Sequence, residues 1–78
     1  SHPHDGWMLF VSPSEDDPLQ HLNQFCCVAL SNGEHKVGAL MRGYRSGTFN
    51  LVNGATGEVL NTDSAIAWAS KVLWIKPV

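Results

Sequence analysis

Apolar residues along this chain fall into short runs separated by clusters of Gly, Asn, Ser and Pro, which is the punctuation of strands and turns. Trp7-Met8-Leu9-Phe10-Val11 is too short for a helix and lies between Asp5-Gly6 and Ser12-Pro13, so it reads as a buried strand. The acidic segment 14–18 ends in Pro18 and reads as a solvated loop, with room for one helical turn over 19–23. Phe25–Leu30 is a second strand, followed by Ser31-Asn32-Gly33-Glu34, whose Asn-Gly pair is a strong hairpin signal. His35–Arg42 should return antiparallel to it. A turn with a glycine at each end, 43–47, then leads into the alternating strand 48–52. The turn cluster 53–57 precedes a short extended piece at Glu58-Val59-Leu60.

The tail over 64–76 is different in kind. Ile66, Trp68, Val72 and Trp74 lie on one parity, and Ala65, Ala67, Ala69, Leu73 and Ile75 on the other. A strand apolar on both faces needs cover on both, either as the central strand of a closed barrel or against another subunit. Turn signals recurring at roughly 8 to 12 residues indicate an all-β fold, a small twisted barrel or sandwich of five to six short strands.

Composition narrows the function. The chain has 78 residues, enough for a single small domain with a thin core, which a partner subunit would help to stabilise. Hydrophobic residues make up 44% and charged residues 15%, too few to coat the surface normally, which favours a buried interface. Net charge is -2, and Lys36, Arg42, Arg45, Lys71 and Lys76 are scattered, so this segment lacks the local positive charge that phosphate contacts require. Cys26 and Cys27 are adjacent and should point to opposite faces of a strand, as reduced core thiols. No apolar run has the length of a signal peptide or membrane span, so a soluble, cytoplasmic chain is expected, without membrane contact. Residues 1–4 read as an edge or linker and 5–78 as the domain.

The order of these pieces resembles the C-terminal domain of LexA-like and phage-type (Cro/CI, XRE-like) repressors, which shares its fold with signal peptidases. The resemblance rests on Asp5-Gly6 before an apolar strand, an acidic Pro-containing loop, the Val28-Ala29-Leu30 strand, the Asn32-Gly33 turn and a strand ending in Leu40. Phe49-Asn50-Leu51-Val52-Asn53 and the closing segment Ala69-Ser70-Lys71-Val72-Leu73-Trp74-Ile75 complete it. The resemblance implies a LexA-type, β-clip-like barrel. It also implies a serine before the Asp-Gly pair and a buried lysine base on the strand after the hairpin. Such a lysine must be neutral near pH 7 to activate a weak nucleophile. Counting back from Leu40, the lysine position falls on Gly38, which has no side chain to take a proton. The family's closing strand contributes to its dimer interface, a role that the resemblance carries onto Trp68, Ser70, Val72 and Trp74.

The expected function is therefore oligomerisation and regulation within a helix-turn-helix repressor whose DNA-binding part lies elsewhere, with no catalysis and no cofactor. The expected partners are a second copy of the chain, as a homodimer or higher oligomer, and an antirepressor or other regulatory protein. Two alternatives stand beside it: a self-cleaving serine peptidase using Lys36 as base, and a peptide-binding module using a groove at Gly38. Ser12, Ser14, Asp16, Asp17 and His21 contain the residue types of a triad, though a solvated loop is the simpler reading. His2 and His4 lack a third metal ligand. Tyr44 and Arg45 sit at a hairpin tip where they could meet a partner, and one of Trp7, Trp68 and Trp74 is expected at an interface.

Overall fold

The structure is a computed structural model and describes residues 7–77. Six strands form one antiparallel sheet: β1 (Trp7–Val11), β2 (Phe25–Leu30), β3 (His35–Arg42), β4 (Phe49–Val52), β5 (Val59–Ser64) and β6 (Ile66–Pro77). Their order across the sheet is β1-β6-β2-β3-β4-β5. The fold is all-β, as the spacing of runs and turns implies, but the sheet does not close, and β1 and β5 remain its two edges.

The middle of the sheet is a meander built by local turns. Asn32 and Gly33 turn β2 into β3: Gly33 adopts a φ of +94° and the Asn32 side chain accepts from the Glu34 amide. Asn53 organises the β4–β5 turn, its side-chain oxygen accepting from the amides of Ala55 and Thr56. β5 is longer than the extended piece expected at 58–60, and Ser64 belongs to it. Ala65 alone separates β5 from β6, which runs antiparallel to β2 and in the same sense as β5.

A small core forms on one face. Cys26, Val28 and Leu30 alternate along β2 and meet Leu40, Phe49, Leu51 and Ala69, with Leu22 and Ile66 packed against them. Register places Val28 opposite Ala69 and Leu40 opposite Leu51. Cys27 points the other way and is half-buried, and both cysteines are free. On the reverse face, Ala29 lies between Trp68 and His35, whose rings tilt together at 5.5 Å.

The loop between β1 and β2 is exposed at Ser14, Glu15 and Asp17, as a solvated segment should be, and then tucks Pro18, His21 and Leu22 inward, Leu22 against the core. Pro18 starts a 3-10 turn, Pro18–His21, capped by the Asp17 carboxylate, which accepts from the Leu19 amide. The turn expected over 19–23 thus begins one residue earlier, because proline's fixed φ suits the first helical position.

Gly38 has a packing reason to be glycine. A Cβ there would sit 2.8 Å from the Val52 carbonyl oxygen and 2.9 Å from Leu51 Cγ. Gly38→Ala should therefore overpack the β3–β4 pair and destabilise the fold by about 1–3 kcal/mol. Urea unfolding would show this as a lowered midpoint at constant slope; an unchanged midpoint would mean that the two strands separate freely at this point.

Candidate functional site

The sheet pairs β6 unevenly. On one side its first half faces β2, from Ile66 opposite Leu30 to Lys71 opposite Cys26. On the other side β1 covers the second half, from Val72 opposite Val11 to Pro77 opposite Trp7. Among the described residues, no strand pairs with β6 beyond Lys71 on the β2 side. β1 and the end of β6 thus form, among the described residues, a two-stranded ribbon with both outer edges open. Its side chains are strongly apolar and poorly covered: Met8, Leu9, Val11, Leu73, Trp74 and Ile75 are all exposed, Leu73 by 57% and Trp74 by 51%. Phe10 stacks on Trp74 at 3.8 Å and stiffens the ribbon.

The four residues expected at an interface are not equivalent. Ser70 is turned into the protomer, 3% exposed, with its hydroxyl donating to the Ser14 carbonyl. Trp68 is half-buried against His35, and Val72 is half-buried at the base of the ribbon. Trp74 alone of the four is broadly exposed. A single parity cannot run through β6, because the β1–β6 register slips between Phe10 and Val11 and takes up Leu73 as an extra residue. The exposed set therefore includes Leu73 and Ile75, which the parity reading put on the opposite face.

Beside the ribbon lies a groove of about 810 Å³. Leu9 and Ile75 line it on the ribbon side, and Phe25, Val37, Gly38 and Leu60 on the sheet side, with the 53–55 turn at its end. Every lining residue is uncharged. Lys36, the alternative base, does not open into it as a free amine: its Nζ donates to the Asn61 side chain on β5 at 3.0 Å.

The loop does bring Ser14, Asp16 and His21 together, but in the wrong order for nucleophile activation. Asp16 sits in the middle, accepting from the Ser14 hydroxyl through one oxygen and bonded to His21 Nε2 at 2.7 Å through the other. His21 Nδ1 faces the Gln24 side-chain oxygen at 2.9 Å, so neither ring nitrogen can accept a serine proton. Both thiols are also poor nucleophiles: burial pushes Cys26 up to about 11 and raises Cys27 as well.

One organising residue gave little warning in the sequence. Asp63 adopts a φ of 49°, and its Oδ1 accepts from the amides of Tyr44 and Arg45 and from the Thr48 hydroxyl. Desolvation works against its charge, yet the donors at Arg45, Thr48 and Tyr44 outweigh it and hold the carboxyl below its ordinary range. Its only sequence signal is an aspartate inside a strand, a residue type that strands disfavour. This carboxylate fixes the β3–β4 turn that presents Tyr44, which is 82% exposed.

Ser1, His2, His4, Asp5 and Gly6 lie outside the described residues, and the side chain of Trp7 is likewise not described. Among the described residues no helix is long and apolar enough to cross a membrane. Comparison of the chain with family models, curated proteins and solved structures finds no match in any of the three.

Replacing Asp63 by alanine should free the 43–47 turn. Amide exchange at Tyr44 and Arg45 is expected to accelerate while Val28 and Leu40 keep their protection. Unchanged exchange at the two turn amides would show that the carboxylate is not what holds them.

Proposed function

We propose that this chain is a self-association module, acting as the regulatory domain of a cytoplasmic LexA-like repressor whose helix-turn-helix part lies outside it. The observation that carries the self-association reading is the apolar ribbon of β1 and the end of β6 with its open edges. An exposed, apolar strand edge is a template for pairing with another chain, and proteins normally blunt it with charge, proline or cover. Here only the tip is blunted, by Lys76 and Pro77, whereas Leu73 to Ile75 are left bare. Two copies related by a twofold axis can set these open edges side by side and bury Leu73 and Ile75 between them.

The repressor reading adds a purpose through the sequence resemblance. Linking two weak DNA readers gains affinity by effective concentration, and the joining domain itself needs no basic surface. The same reading makes the domain catalytically inactive, since Gly38 stands where the peptidases of that family carry their lysine.

Sedimentation at high micromolar concentration should then give a dimer or larger oligomer. Leu73→Glu should give monomers with an unchanged circular dichroism spectrum, because this side chain packs little within the protomer. A wild-type chain that stays monomeric would overturn the proposal.

The uncharged groove favours a second reading, in which the domain also holds an extended apolar peptide such as an antirepressor tail. Titration with a panel of uncharged, leucine-rich heptapeptides should shift the amide resonances of Phe25, Val37 and Leu60 in the wild type. Ala55→Trp, which fills the groove without disturbing Gly38, should abolish those shifts. No shift with any peptide at millimolar concentration would dismiss this reading.

A further inference from the structure

The segment 12–24 is held at both ends by backbone bonds and by the Ser70 hydroxyl on the Ser14 carbonyl, and a side-chain network inside the segment joins its two ends. At one end it lies against β6: the Ser12 amide donates to the Lys71 carbonyl, and Asp16 and Ala69 exchange two backbone bonds of 2.9 Å. At the other end Asn23 and Gln24 bond to the backbone of Leu40 on β3. Between these anchors Leu22 packs on the core, and Pro18 and His21 are buried.

His21 ties the two ends together. Its side chain is 11% exposed, and the ring bonds to Asp16 at 2.7 Å and to the Gln24 Oε1 at 2.9 Å. A carboxylate only accepts, and so does an amide oxygen, so both bonds can exist together only when both ring nitrogens carry protons. A neutral imidazole has one donor. Losing the second proton therefore leaves one acceptor facing a lone pair at a site with little access to water, which removes a bond and adds repulsion.

We infer that the 12–24 segment is a proton-operated latch: the doubly protonated His21 ring clamps it across β6 and the core, and loss of one ring proton releases it from Ala69 and Lys71. The latch is distinct from the self-association surface, which lies further along β6 and does not require it.

The charges around the ring set the direction. Asp16, from the loop itself, favours the imidazolium most strongly, and the Gln24 oxygen adds to it. Desolvation by burial opposes it, as does Lys71 of β6. β2, the other strand packed on this turn, brings only Cys26 and Cys27 as titratable groups, and their raised thiols stay neutral. The balance raises the ring above its ordinary 6.5. A raised histidine contributes its stabilisation fully below 6.5 and loses it as pH climbs through the folded value. On the acid side the Ser14 hydroxyl, and then His21, hold Asp16 below its ordinary 3.8. Protonating that carboxylate opens the latch only when pH falls through this lowered value.

Hydrogen exchange and ring titration by NMR test the latch at a concentration where sedimentation shows monomers. The His21 ring should titrate above 6.5. Between about pH 5.5 and 8.5, protection at the Asp16 and Ala69 amides, corrected for intrinsic exchange, should fall by up to about tenfold for each unit of that rise. Val28 should keep its protection. Asp16→Asn should lower the ring's titration point and flatten the pH dependence; if that variant does not fold, the wild-type titration decides alone. A ring titrating at or below 6.5 would overturn the inference. So would constant protection across the range, the result expected if the Gln24 amide turns over to donate to the neutral ring.

Discussion

Strand β6 is longer than every strand that pairs with it, and most of the molecule follows from that mismatch. It has 12 residues, against 6 in β2 and 5 in β1. Backbone groups along a strand edge need partners, from another strand or from water. β2 supplies them for the first half of β6, and β1 with the loop after it runs along the opposite edge. The second half is left with one edge open. The same strand therefore contributes Ala69 to the core and Trp74 to the surface.

A single sheet with a core this small cannot shield itself, and the loop between β1 and β2 supplies the missing layer. Leu22 and Pro18 cover apolar surface that a closed barrel would have covered with another strand. A loop in that position buries polar groups, so it must satisfy them internally. The Asp16–His21–Gln24 network does this, and no buried side-chain polar atom among the described residues is left without a partner. The requirement that produces a stable cover also makes it sensitive to protonation, because the network includes an imidazole with two acceptors.

The proposed self-association and the proposed latch draw on different parts of β6. The ribbon end offers bare backbone edges and apolar side chains, suited to a second copy of the chain. The interior end is held by the loop and by β2. On that proposal the association surface lies away from the core, so a second copy would be gained or lost without unfolding the protomer.

The all-β class, the meander of β2, β3 and β4, the Asn32-Gly33 turn and the alternation of Cys26, Val28 and Leu30 were legible in the sequence. Turn chemistry and a period of two are local properties, set by residues a few positions apart. Gly38 could be seen as a missing side chain, but not as a close approach of Leu51 and Val52. The open sheet, the fate of Ser70, the role of Asp63 and the ring of His21 between Asp16 and Gln24 were not legible. Each depends on which strand edges meet across the fold, and hydrophobic periodicity carries no record of that. By itself the sequence determined that 64–76 is apolar on both faces. Only the tertiary structure divided that stretch into a buried half and an exposed one, because pairing with two shorter strands, and not composition, decides where cover ends.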